Sequence, residues 1–428
     1  MLRLPLHISA QGLAPRRFSG TLVRVSMRLS LFLVLSLVGC SASESEKNSR
    51  LAVTGSPGEP VTPIDPQASE PTRALIGNLH QLQGEAFLFG HQDSLAYGVE
   101  WKEESGRSDV KEVTGDYPAL YGWDVGHLER GDSANLDGVD FEAMQGWMRE
   151  AYRRGGVVTI SWHMTHPGTG ADSWNTQTGA GALLPGGEWH DALKKALDRF
   201  AGFVDGLAVT TPEGEVHPLP VIFRPWHEHN GDWFWWGRGA TAEEDYVALW
   251  RFTVDYLREE KQLHNLLYAF SPDRSRLDMS RFESQYLYAY PGDDYVDILG
   301  IDNYWDLGHE ANEASPEQSA EDFQQSLTRL AKLAADKGKL PAMTEGGQDT
   351  LFQPDFFTQR LLPGLLANEW TRQVAYVQVW RNANREKEDR DHFYVPYKGH
   401  EAAEDFEAFY RHPATLFESD LPDLYDLE

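Results

Sequence analysis

Eight short apolar runs, each closing on a polar or aromatic residue and several separated by stretches of helical period, constrain this chain most. They fall at 86–91, 119–124, 157–163, 221–228, 266–271, 296–302, 340–345 and 374–380. Continuous apolar runs, rather than strict alternation, mark parallel strands buried on both faces. Between them, 141–154, 189–203, 242–260 and 320–337 carry apolar residues at three- and four-residue spacing. The last of these puts Phe323, Leu327, Leu330 and Leu333 on one stripe. Strand and helix alternating eight times predict a single (β/α)8 barrel over 73–420, followed by an acidic C-terminal tail at 421–428. An open doubly wound sheet is the competing layout, but no GxGxxG loop follows the first run and no Walker motif is present.

The chemistry-bearing side chains gather at the ends of these runs: His91, Asp124, His163, Glu228, Asp273, Asp302 to Trp305, Glu345, and Trp380 with Arg381. In a barrel those ends converge on one mouth. Glu228 closes the fourth run within Arg224-Pro-Trp-His-Glu-His-Asn-Gly-Asp-Trp-Phe-Trp-Trp236, and Glu345 closes the seventh within Thr344-Glu-Gly-Gly347. Two facing carboxyl groups among indoles are the apparatus of glycoside hydrolysis, one protonated and one ionised. Indole surroundings hold the first proton, while donors such as Arg224, His163 or Tyr304 keep the second group charged.

Simpler roles compete for some of these residues. Glu228 could serve as a structural partner of Arg224, and Asp302 could satisfy backbone groups at its strand end. His91 and Asp124 read as supporting residues. The run His227-Glu228-His229 evokes a metal, yet neighbours on a strand face opposite ways and HExxH spacing is absent, so neither metal nor cofactor is expected. Trp233, Trp235 and Trp236 are hard to bury together, and at least one is expected to meet a sugar ring.

Arg-Pro-x-His-Glu-x-Asn-Gly around Glu228, Ser161-Trp-His-Met164, Asp302-Asn-Tyr304 and Thr-Glu345-Gly together resemble glycoside hydrolase family 26 over about 75–417. Members are mostly endo-β-1,4-mannanases on a (β/α)8 scaffold that retain anomeric configuration. The resemblance implies Glu228 as acid/base and Glu345 as nucleophile. It also implies His163 and His227 on sugar hydroxyls, Tyr304 on the nucleophile, and Trp233 and Trp380 beside the rings nearest the scissile bond. The substrate so implied is a β-mannan or manno-oligosaccharide. A β-1,3-xylanase or mixed-linkage glucanase of the same family, or a surface glycan-binding lipoprotein without catalysis, are the alternatives. His229 stands where many relatives carry Met. The long segment 165–218, with Trp174 and Trp189, is expected to narrow one end of the cleft and favour short products.

Composition excludes other partners. Of the chain's 38 Lys+Arg, five are Arg within residues 1–39, which hold no acid, so the remainder carries 33 basic against 66 acidic side chains. Such a body repels nucleic acid and anionic lipid alike. From Met27 a basic end, an apolar run and Leu37-Val38-Gly39-Cys40 resemble a bacterial lipobox, with the one cysteine as the lipid-bearing residue. Residues 1–39 are therefore expected to direct export. Residues 40–72 would form the lipidated cysteine and a flexible linker, anchoring a monomer by lipid alone in the cell envelope. Ser41 after the cysteine points to the outer membrane of a Gram-negative bacterium.

Overall fold

The computed structural model describes residues 60–426 apart from 211–213, 215, 385–387 and 389. The expected export segment and Cys40 lie outside the described residues. The main sheet contains eight parallel strands: β1 (Phe87–Gln92), β2 (Leu120–Asp124), β3 (Val157–Ser161), β4 (Val221–Arg224), β5 (Leu266–Phe270), β6 (Ile298–Asn303), β7 (Leu340–Gly346) and β8 (Tyr376–Val379). Each pairs with the next, and β8 pairs back onto β1 through Leu88–Tyr376 to His91–Val379, closing the barrel. A short ninth strand, β9 (Thr415–Leu416), adds to the lower end of β1.

Strand pleating divides the apolar residues into two cores. Leu88, Leu120, Ile222, Leu267, Ile298, Ala342 and Tyr376 belong to the cluster that fills the barrel and its base. Phe89, Tyr121, Phe223, Tyr268, Leu299 and Val377 belong to the cluster shared with the surrounding helices. Phe223, for example, stacks on Phe200 of the helix His190–Asp205 with centroids 4.2 Å apart. Higher in the barrel the filling becomes polar, with Gln378 donating to Gln92 at 2.7 Å. Gly122 makes room for that pair, since a Cβ there would lie 2.1 Å from Gln92.

The helical stripes form as the periodicity predicts, with boundaries set by caps. In the helix Pro316–Lys337, Phe323, Leu327 and Leu330 are fully buried and Leu333 nearly so. It starts earlier than its apolar pattern because Ser315 caps it, accepting from Gln318 N–H, and Pro316 occupies the first turn. Gly338, left-handed, ends it. No described helix is long and apolar enough to cross a membrane.

Two expected boundaries are corrected. The linker does not extend to residue 72, because the chain is already packed from Val61 onward. Ile64 N–H donates to Asp297 at 2.7 Å, His264 pairs with Asp65 at 2.8 Å, and Ser69 caps the helix Glu70–Leu82. Residues 421–426 are not a free tail either. Leu424 is fully buried in the lower core, and Tyr425 donates to the Gly156 carbonyl at 2.8 Å. The Asn78 side chain donates to the carbonyls of Asp423 and Asp426, so the last described residues dock on the helix Glu70–Leu82 at the barrel's base. In each case a few apolar anchors among polar residues suffice to dock a segment that composition alone reads as solvated.

Candidate active site

Strand register brings the mouth together. Asp124, Ser161 and Arg224 lie side by side on β2, β3 and β4, and Asp302 of β6 lies opposite Glu345 of β7. A register shift between Ile301 and Asp302 re-aims the end of β6 at that point. The fourth strand stops at Arg224, shorter than the apolar run predicts. Trp226 and Glu228 then take left-handed backbone angles, φ +52° and +53°. Non-glycine residues hold such angles only where neighbours enforce them, and such strain concentrates at functional sites. Here Glu228 N–H donates to the Ser271 carbonyl at 2.8 Å, and Trp236 Nε1 donates to the His227 carbonyl at 2.8 Å.

The two glutamates have different settings. Glu345 accepts from the Arg224 guanidinium and, at 2.7 Å, from the Tyr304 hydroxyl. Arg224 also donates to Asp302 at 2.7 Å, and Asp302 accepts from Thr344 at 2.7 Å. Burial works against the charge on Arg224, but the carboxylates of Asp302 and Glu345 outweigh it and keep the guanidinium protonated. Among the described residues, the Glu228 carboxyl receives one indole N–H, from Trp233 at 2.7 Å. Burial first, then the negative charges of Asp273, Asp302 and Glu345, push its carboxyl well above the ordinary glutamate range, and the Trp233 bond offsets this only in part. One carboxyl group is thus clamped by donors and the other is disposed to keep its proton.

Two imidazoles line the neighbouring wall. His163 Nδ1 lies 2.8 Å from Asp124, and its Nε2 lies 3.3 Å from His227 Nε2. Burial lowers the pKa of His163, but Asp124 overrides that and the net shift is upward. His227 is held well below the usual range by burial, with Arg224 and His163 adding to it. The assignment consistent with both is a His163 that donates through both nitrogens and a neutral His227 that accepts at Nε2. His227 Nδ1–H then has no partner among the described residues. Trp380 stands over His163 with centroids 6.0 Å apart, and Trp174, 53% exposed, stacks on its other side at 5.4 Å and 20°.

All eight residues singled out at the mouth, Glu228, Glu345, His163, Arg224, His227, Trp233, Tyr304 and Trp380, therefore converge there. Several details differ from the sequence reading. Arg224 binds Glu345, as the sequence reading expects, but also Asp302, and leaves Glu228 to Trp233, while His163 serves Asp124 and His227 instead of Glu345. Asp302 holds a side-chain cation, not backbone groups. Trp235 and Trp236 are fully buried, their N–H groups bonded to the carbonyls of Met164 and His227, so only Trp233 of the three reaches the cleft. His229 turns away from the mouth and stacks on Tyr246 at 4.4 Å. No cluster of three metal-ligating side chains occurs among the described residues. Phe234, packed edge-on against both His163 and His227, escaped notice because a lone Phe among tryptophans carries no chemical signal.

A (β/α)8 barrel presenting two carboxyl groups at the tips of β4 and β7, one bonded by a guanidinium and a phenol and the other disposed to keep its proton, has the layout of a glycoside hydrolase. The chain belongs to glycosyl hydrolase family 26, whose profile matches residues 64–378. It is 34% identical over 372 residues to a mannan endo-1,4-β-mannosidase of Bifidobacterium adolescentis, covering 83% of this chain and 35% of that protein. The chain thus spans about a third of that relative's length. Among solved structures, a family-26 β-mannanase from Bacteroides ovatus superposes with a TM-score of 0.75 at 39% identity, covering 84% of this chain and 98% of the other. A modular endo-β-1,4-mannanase from Cellulomonas fimi gives 0.74 at 33% identity, covering 86% and 80%.

Proposed function

We propose that the chain is a retaining endo-β-1,4-mannanase acting on mannan, glucomannan or galactomannan without a cofactor. The observation that carries this is the contrast between the two glutamates, joined to the mannanase names of its similar relatives. Glu345, oriented by its bonds from Arg224 and Tyr304, attacks the anomeric carbon. The bond from that carbon to the bridging oxygen breaks as Glu228 gives that oxygen its proton. A water then loses a proton to Glu228, its oxygen attacks the same carbon, and the Glu345 carboxylate leaves. Two inversions restore the starting configuration.

The other side chains act around this exchange. His227 Nδ1–H, steadied by His163 and Asp124, binds a hydroxyl of the reacting sugar. Trp380 and Trp233 stack on the rings either side of the scissile bond, and Trp233 also orients Glu228. Trp174 over His163 supports a cleft narrowed at one end and a bias to short products. Trp189 instead packs on His166 at 5.4 Å and braces the loop.

Reducing-sugar release from glucomannan, galactomannan, β-1,3-xylan and barley glucan tests the substrate. Activity on either mannan is expected, and its absence from both overturns the proposal. Product analysis on mannohexaose tests the narrowing, since even mid-chain cleavage contradicts it. Glu345→Ala should abolish turnover while binding persists, which separates the enzyme from a glycan-binding lipoprotein. Residues 1–39 as export signal and Cys40 as a lipid-bearing anchor in the outer membrane complete the proposal. Cys40→Ala should move the protein from the membrane fraction to the soluble one.

A further inference from the structure

A cavity of about 380 Å³ adjoins Tyr304, the residue whose hydroxyl reaches Glu345, and is walled by the loops that follow β6, β7 and β8. That volume lies within the range of about 300–1,000 Å³ usual for small-molecule sites. Phe352, 58% exposed, forms an apolar wall, while His309, Glu310 and the Asp349–Arg390 pair, 3.0 Å apart, supply donors and acceptors. The backbone there is built for shape. Thr350 and Leu351 sit at φ +62° and +44°, held in part by Thr350 N–H on the Phe393 carbonyl. Gly347, at φ +122°, is the close approach that lets Tyr394 pack beside Tyr304, because a Cβ would lie 2.8 Å from its ring.

Ring geometry says what this cavity faces. A pyranose carries O2 and O3 on one edge and the ring oxygen and C6 on the other. His227, just beyond β4 and steadied by His163, takes a hydroxyl of the first edge in the function proposed above, on which this inference rests. The loops of β6 to β8 lie across the ring of strands from His227, so a sugar that presents its O2 and O3 edge to His227 would turn its C6 edge toward the cavity. We propose that the cavity receives a hexosyl branch carried on O6 of the backbone mannose bound at the cleavage point. α-Galactose fits it best: its axial O4 leaves one C–H face to lie on Phe352, and its remaining hydroxyls meet Glu310 and the Asp349–Arg390 pair. The enzyme would therefore recognise a branched mannan at this position, beyond merely tolerating it.

The test compares kcat/KM on linear mannopentaose with kcat/KM on mannopentaose bearing one α-1,6-galactose, for the wild type, Phe352→Ala and Arg390→Ala. Both substituted side chains are largely solvent-exposed and make no bond to either glutamate. Loss of one aromatic contact should lower kcat/KM on the branched substrate by roughly three- to tenfold in Phe352→Ala. Linear turnover should stay within about twofold. Mapping the products must also place the branch on the mannose that becomes the new reducing end. Equal losses on both substrates would make the cavity a main-chain subsite and overturn the inference, as would no change on either. A wild type that cleaves neither oligosaccharide would instead remove the mannanase reading on which the inference rests.

Discussion

Charge at the mouth is controlled one contact at a time. The Trp233 N–H is the one bond opposing the upward shift of the Glu228 pKa. Because Glu228 must be protonated to act as an acid, kcat/KM should fall as pH rises through its raised pKa. Trp233→Phe removes the opposing donor, so that alkaline limb should move to higher pH, and an unmoved limb would detach Glu228 from the acid role. Asp302 acts at one remove. Asp302→Ala leaves Arg224 buried with Glu345 as its remaining carboxylate and should cost about 3–5 kcal/mol in urea unfolding. Asp302→Asn, which keeps an acceptor, should cost less while still lowering kcat. The glutamates were legible in the sequence because carboxyl groups at strand ends are conspicuous. The Arg224–Asp302 pair was not, since it joins residues 78 positions apart that only the strand register makes neighbours.

Strands and helices followed the periodicity to within a few residues, because buried runs and apolar stripes are what the barrel packs. The errors lie where backbone geometry departs from the regular. The left-handed angles at Trp226 and Glu228 end β4 four residues early, and no apolar pattern encodes a reversal of φ. The loop that follows behaves as one unit, in which Trp235 and Trp236 anchor backbone and Trp233 reaches out. Gly231 is its pivot, since a Cβ there would lie 2.5 Å from the Trp233 ring. Gly231→Ala should displace that indole from Glu228 and lower kcat/KM with the melting temperature nearly unchanged. A full loss of Tm instead would show the loop to be part of the folding core.

At the scale of the molecule, composition separated an acidic body from its basic first residues but misplaced both edges of the folded unit. A handful of anchors, Val61, Asp65, Leu424 and Tyr425, dock segments whose average character is polar. Deleting residues 421–428 should therefore cost on the order of 3 kcal/mol, from the loss of Leu424 and Tyr425 burial, read as a lower urea midpoint. An unchanged midpoint would return those residues to the status of a tail.

The docking of residues 423–426 on the first described helix has an engineering consequence. Asn78 of the helix Glu70–Leu82 bridges to the carbonyls of Asp423 and Asp426, so this seam belongs to the base of the barrel and not to the cleft. A label or cross-link placed on residues 423–426 would therefore sit at the underside and leave the mouth with Glu228 and Glu345 open.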